Sequence, residues 1–283
     1  MGKQDNVFET LVMYNLSMGE KPASSASELA SKAAARAPSW LLGLLEIPRA
    51  LTEAAGLIPA RSWLRGLPAG DGHPVITLPG FLASGRSMRT VRKYLRHWGY
   101  DAQCWNLGRN LGLSSERDLE SLLDDRLHET FESSGQKVSL IGWSLGGLYA
   151  REVARRNPDL VRSVILLGSP IGDPKATNVW RVYESVSGQK VDEEALRRRV
   201  ATLRKPIDGI PMTAIYSLSD AMVSARIAQL PPGPMVENIG VPASHIGMGF
   251  NPAILYVIAD RLAQHQEDWQ EFEINGLRNF FFH

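Results

Sequence analysis

Cysteine is almost absent from this chain of 283 residues, with Cys104 standing alone. A lone cysteine closes no internal disulfide, and without a Cys/His cluster it offers neither an oxidised framework nor a structural zinc site. An excess of one charge is also missing. The 31 Lys plus Arg are matched by 30 Asp plus Glu, so no global field draws the protein to nucleic acid, which is not an expected partner. Long hydrophobic runs are lacking as well. The most apolar early stretch, residues 40–47, is interrupted by Gly43 and Glu46 and stopped by Pro48, far short of the ~20 residues that span a bilayer. A secretory signal would place an apolar run of about 7–15 residues after a basic start, and residues 1–30 contain none. These absences lead to the expectation of a cytoplasmic protein without metal or cofactor.

What is present is an ordinary globular composition, 44% hydrophobic and 22% charged, in a chain long enough for two small domains or one large α/β unit. Residues 1–70 read as a helical extension divided by Pro38, Pro48, Pro59 and Pro68. Within it Trp40, Leu41, Leu44 and Leu45, then Leu51, Ala54, Ala55 and Ile58, recur at helical spacing. Such a face either touches lipid or covers a hydrophobic cleft, or packs on its own domain.

From residue 71 apolar runs at 75–78, 102–105, 138–142, 161–167, 212–217 and 235–239 alternate with helical patterns at 86–98, 116–132, 145–156 and 251–264. This alternation predicts a mostly parallel sheet with helices on both faces. Residues 171–210 interrupt it as an insertion with its own helix, where Asp192 is a candidate N-cap and Glu193–Arg197 and Glu194–Arg198 are i,i+4 pairs. At the end, residues 271–274 and 277–280 flank Asn275-Gly276, a dipeptide favoured in two-residue hairpin turns. The tail, residues 266–283, is expected to form a small hairpin whose Phe280, Phe281 and Phe282 pack on the N-terminal extension or on a second subunit, so a homodimer is one expected assembly.

Gly142-Trp143-Ser144-Leu145-Gly146 fits G-x-S-x-G, with a further Gly147. The pentapeptide alone is a weak signal, and its context decides. A buried-strand candidate precedes it and a helix follows, the setting in which a strained turn lifts a serine hydroxyl above a sheet. Such a serine needs a base, and the base needs an orienting carboxylate. Of the histidines after the motif, His265 ends a helix and His283 ends the chain, whereas His245 occupies the loop after the last predicted strand. Asp220 follows the strand at 212–217 and is the candidate acid. Asp173 is the runner-up, with Asp208 and Glu237 weaker. An oxyanion requires two backbone N–H donors. Leu145 would supply one, and Phe81, in Leu78-Pro79-Gly80-Phe81-Leu82 after the first strand, the other.

On these residues the stretch from about 73 to 264 resembles the α/β-hydrolase superfamily in its lipase and esterase branch, through the Pro-Gly-Phe turn and the Gly-Trp-Ser-Leu-Gly-Gly elbow. The resemblance implies Ser144 as nucleophile, Asp220 as acid, His245 as base, and Phe81 and Leu145 as oxyanion donors. It implies an α/β-hydrolase fold of about six strands, because the first two strands of the full family sheet are not visible in residues 1–70. It also makes the insertion a lid. Pro79 departs from the commoner His-Gly turn and removes a side chain that often braces it. Leu82, Trp143, Met222 and Met248 are the candidate substrate contacts, and Trp180, Tyr183, Val186 and Phe250 add to an apolar rim suited to a hydrophobic acyl ester. Arg109 either meets an anionic head group or sits in a solvated turn. The expected activity is ester cleavage on a small-molecule or lipid substrate through an acyl-enzyme, with peripheral membrane contact through the N-terminal helices. Acyl transfer or thioesterase chemistry on the same residues, and a non-catalytic binding module, are the alternatives.

Overall fold

A computed structural model describes Pro38, residues 40–112, 116–172, Thr177 and residues 193–283. All of them belong to one compact unit, Ala35–His283. The insertion helix falls inside this set, but residues 178–192, and with them Trp180, Tyr183, Val186 and Asp192, lie outside it, as does Asp173.

Six parallel strands, β1 (Pro74–Leu78), β2 (Asp101–Cys104), β3 (Val138–Trp143), β4 (Val161–Leu167), β5 (Met212–Tyr216) and β6 (Val236–Gly240), pair in the order β2-β1-β3-β4-β5-β6. Successive residues of each strand feed opposite cores. Val75, Ile141, Ile165 and Ile215 pack under α1 (Trp40–Arg65), α2 (Arg89–His97) and α6 (Pro252–Leu262). Ile76, Leu140, Val164 and Ala214 pack under α3 (Glu116–Ser134), α4 (Leu145–Arg156) and α5 (Glu193–Leu203). Burial on both faces is why the central strands β1, β3, β4 and β5 read as largely continuous apolar runs, while the edge strands β2 and β6 are partly exposed and carry polar residues. The reversal of strand order beside β1 and β3 opens a crevice at their C-terminal ends, where α/β sheets bind ligands.

Two expectations are corrected. The segment around Pro48 and Pro59 is one helix, α1, of 26 residues. Both prolines are exposed, so the ladder bonds they interrupt face water. The Asn275-Gly276 pair does not turn a hairpin: Asn275 is extended at φ −138°, Gly276 sits at φ 54°, and a 3-10 turn Gly276–Phe280 follows. A type I′ turn needs positive φ at both central residues. The tail instead packs on its own domain. Phe272 and Phe282 are buried against Tyr256 of α6, Tyr256 stacks on Trp63 of α1 at 5.2 Å, and His283 exchanges both backbone hydrogen bonds with Gly240, at 2.6 and 3.1 Å. That exchange covers part of the β6 edge. In α5, Glu194 and Arg198 pair at 2.8 Å as their spacing predicts, while Val200 and Leu203 are buried.

Candidate active site

β3 delivers its last residue, Trp143, to a turn in which Ser144 adopts φ 53° and ψ −122°. A serine at positive φ is strained, and here the chain around it fixes the conformation. The Ser144 N–H donates to the Leu167 carbonyl at 2.8 Å. A Cβ at Gly142 would stand 2.4 Å from the Cα of Gly147, and one at Gly146 would stand 2.4 Å from the Leu78 carbonyl oxygen. The two glycines of the motif are therefore required by the close approach of strand, turn and helix. Leu145 opens α4, so its N–H belongs to a first turn without intrahelical acceptors.

The turn after β1 abuts this serine. A Cβ on Gly80 would reach within 3.2 Å of the Ser144 Cβ, which puts Phe81 and Leu82 beside the elbow. Leu82 has φ 58°, and Asn110 holds the loop around it. The Asn110 side-chain amide donates to the Pro79 carbonyl at 2.8 Å, its backbone carbonyl accepts from Leu82 N–H at 2.6 Å, and its own N–H donates to the Ala83 carbonyl at 2.9 Å. Asn110 is buried and takes the bracing role that Pro79 vacates. Arg109, its neighbour, is exposed.

Asp220 and His245 come together behind the elbow. His245 Nδ1 lies 2.7 Å from Asp220 Oδ2, and both side chains are at most 5% exposed. Asp220 Oδ1 accepts from the Met222 and Val223 N–H groups at 2.7 and 2.8 Å, which fixes the carboxylate in one orientation. A proton on Nδ1, donated to the carboxylate, leaves Nε2 with a lone pair. The Trp143 indole N–H donates to the His245 carbonyl at 3.1 Å, and the two rings stand 5.8 Å apart, so the His245 loop is tied to the residue before Ser144. The competing carboxylates are elsewhere. Glu237 is engaged by Arg261, Thr213 and the Phe272 N–H, and Asp208 is exposed.

The candidate substrate contacts divide. Leu82, Trp143 and Met222 are part-exposed near the crevice, whereas Met248 is 0% exposed and part of the core under α6. Met248 therefore packs rather than rims the mouth, because the 3-10 turn Ile246–Gly249 rolls it inward. The exposed apolar residues of these loops are Leu218 and Ile246.

Sequence reasoning missed a set of residues on α1. Glu46 is 3% exposed. Its Oε1 accepts from the Ala221 and His245 N–H groups at 3.0 and 3.2 Å, and its Oε2 accepts from Ile246 N–H at 3.1 Å. Arg49 donates to the Ser219 hydroxyl at 2.7 Å. Glu53 accepts from Ser244 N–H at 2.6 Å and from the Asn251 amide at 3.2 Å. One helix face thus clamps the loops that carry Asp220 and His245. The available signal was the helical spacing of Glu46, Arg49 and Glu53 within an otherwise apolar segment. Cys104 lies against Gly85, away from this cluster. Among the described residues no group of His, Cys, Asp and Glu is arranged to hold a metal.

A model described as the alpha/beta hydrolase family matches residues 54–278. The chain belongs to that family. The mature form of Bacillus licheniformis lipase BlEst2 aligns with a TM-score of 0.53 at 17% identity, over 70% of this chain and 95% of the lipase. Aspergillus fumigatus lipase B gives 0.51 at 17%, over 71% of this hydrolase and 55% of that chain. At such identities the likeness is one of fold. A curated relative, described as a probable alcohol acetyltransferase from Cyberlindnera fabianii, is 25% identical over 221 residues. That alignment takes in 73% of the hydrolase chain and 56% of the relative. Glu46, Arg49 and Glu53 precede the segment matched by the family model.

Proposed function

We propose that this α/β hydrolase cleaves carboxylic esters with hydrophobic acyl groups through an acyl-enzyme on Ser144. The observation that carries the reading is the buried 2.7 Å His245–Asp220 pair behind a serine held at φ 53°. In this mechanism His245 Nε2 takes the Ser144 hydroxyl proton as Oγ bonds to the ester carbonyl carbon, and Asp220 stabilises the resulting imidazolium. The carbonyl oxygen becomes an oxyanion facing the Leu145 and Phe81 N–H groups. Its collapse breaks the ester C–O bond, and the imidazolium protonates the departing alcohol. Water, deprotonated by His245, then attacks the acyl-enzyme and releases the acid and free Ser144. Leu82, Trp143 and Met222 offer apolar contacts to the acyl chain.

Substituting Ser144→Ala in the full chain is expected to abolish hydrolysis of p-nitrophenyl esters and labelling by a fluorophosphonate, with the melting temperature preserved. Retained labelling would overturn the assignment. The resemblance to a protein described as a probable alcohol acetyltransferase favours a second reading, in which an alcohol replaces water as acceptor from the same acyl-enzyme. Hydrolysis and transfer separate by product analysis with an alcohol and water in competition.

A further inference from the structure

The face of α1 turned away from the catalytic loops has the composition of an interior while lying in solvent. Leu44, Ile47, Leu51 and Ile58 recur at helical spacing along it, and each is between 65% and 78% exposed. The stripe ends in Arg61 and Arg65, which lie one and two helical turns beyond Ile58 on the same side. These arginines border a groove of about 490 Å³ between α1 and α2, which Lys93, Arg96 and His97 also line. Among the described residues no acidic side chain lines it. Arg96 is engaged by the Ala102 carbonyl, but among the described residues Arg61, Arg65 and Lys93 have no carboxylate partner.

We propose that this stripe and groove form a docking surface for an anionic lipid bilayer, with α1 lying in the plane of the interface. The apolar side chains would enter the boundary of head groups and acyl chains while the groove takes anionic head groups. No described helix is long and apolar enough to cross a membrane, which agrees with a helix lying on it. Charge selects this occupant over two others. A second copy of the chain facing this surface would bring Arg61, Arg65 and Lys93 against cations like themselves. The chain's own residues before Pro38 balance Asp5, Glu9, Glu20 and Glu28 against Lys3, Lys21, Lys32 and Arg36, and so bring no surplus of negative charge. The same helix also reaches the candidate active site from its other side. Glu46 and Arg49, on the opposite side of the same helix, hold the loops that expose Leu218 and Ile246.

The test is co-sedimentation of the full-length protein with vesicles of phosphatidylcholine alone, or of phosphatidylcholine and phosphatidylglycerol in equal parts, at low and high salt. Three surface cations correspond to a change on the order of 100-fold in partitioning at low salt. The wild type is therefore expected to prefer the anionic vesicles by about that factor and to lose the preference at 1 M salt, where the Debye length falls to about 3 Å. The triple variant Arg61→Gln, Arg65→Gln, Lys93→Gln is expected to bind both vesicles at the neutral level. Leu51→Ser with Ile58→Ser is expected to weaken binding to both vesicles while keeping the salt dependence. All the substituted side chains are exposed, and unchanged melting temperatures would confirm folding. Equal wild-type binding to both vesicles would overturn the proposal. So would unchanged binding by the triple variant, or a wild-type dimer that dissociates on the Leu51/Ile58 substitution without binding vesicles. Binding is read without turnover, so Ser144→Ala should bind as wild type, and the proposal stands or falls independently of the ester reading.

Discussion

Glu46→Gln tests whether α1 holds the proposed triad in register. The substitution preserves shape but leaves one acceptor oxygen where the carboxylate had two. If that oxygen stays toward the Ala221 and His245 N–H groups, the new amide NH₂ meets the Ile246 N–H donor, and the flipped amide faces two donors instead. The cheaper arrangement loses one hydrogen bond and leaves a donor unpaired, at about 1–3 kcal/mol. Charge-assisted bonds are roughly twice as strong as neutral ones, so neutralising the acceptor of the remaining two costs about 1 kcal/mol more. The sum, about 2–4 kcal/mol, lowers the melting temperature by roughly 4–16 °C at ~2–4 °C per kcal/mol. The rate effect is separable from this loss. Misplacement of a reacting group by about 1 Å costs on the order of 100-fold, so kcat for p-nitrophenyl ester hydrolysis is expected to fall ~10–100-fold with KM nearly unchanged. The rate should be expressed per active site titrated with a fluorophosphonate, since a helix that only stabilises the fold would reduce the number of titrated sites and leave their turnover intact. Wild-type turnover per titrated site would refute the positioning argument, whatever the melting temperature.

Gly80→Ala places a methyl group 3.2 Å from the Ser144 Cβ and is expected to lower kcat by about tenfold or more through loss of oxyanion geometry, with little change in thermal stability; unchanged steady-state kinetics would show that the turn yields freely. Asn110→Leu removes the donor to the buried Pro79 carbonyl but keeps the backbone bonds to Leu82 and Ala83, so about 1–3 kcal/mol of stability should be lost, with a smaller loss of turnover than in Gly80→Ala. Acidification should destabilise the fold through a pair at the start of β1. Burial pushes the His73 imidazole below its ordinary 6.5 despite its hydrogen bond to Asp71. Burial raises the Asp71 carboxyl, but the bonds from His73 and Arg162 outweigh it and hold that group well below 3.8. In both cases the unfolded chain binds protons first as pH falls, so stability is lost with acidification, beginning near pH 6.5 for His73 and below about 3.8 for Asp71. Melting curves of His73→Gln should therefore vary less than wild type between pH 7 and pH 5, and parallel curves would contradict the assignment.

The centre of the sheet was legible because parallel strands buried on both faces leave nearly continuous apolar runs. The run at 161–167 coincides with β4, and the others end within a residue or two of their strands. The elbow was legible because close packing admits only glycine at Gly142 and Gly146, and the pairing of Asp220 with His245 follows the order of strand ends. What escaped was set by tertiary contacts without a local signature. Asn110 is one polar residue in a glycine-flanked turn, and nothing in its neighbours reveals that Pro79 lies opposite. Met248 was placed at the mouth because it follows His245, but the intervening 3-10 turn directs it into the core. Asn275-Gly276 carries a hairpin signal of two residues, against which the burial of Phe272 and Phe282 prevails.

The orientation of the N-terminal helix stayed open for a more instructive reason. An amphipathic helix is ordinarily assigned by taking its apolar stripe as the packed side, yet in α1 the relation is reversed over the first half. Glu46, Arg49 and Glu53 face the protein, where backbone N–H groups and a hydroxyl of the loops carrying Asp220 and His245 satisfy them, while Leu44, Ile47 and Leu51 face solvent. A buried carboxylate is tolerable only with such partners. Burying Glu46 thus depends on loops that present unpaired N–H donors, and the loops after β5 and β6 present them because they leave the sheet to hold Asp220 and His245. The polar side of α1 is explained by the candidate active site, and its apolar side is what the proposed bilayer surface would use.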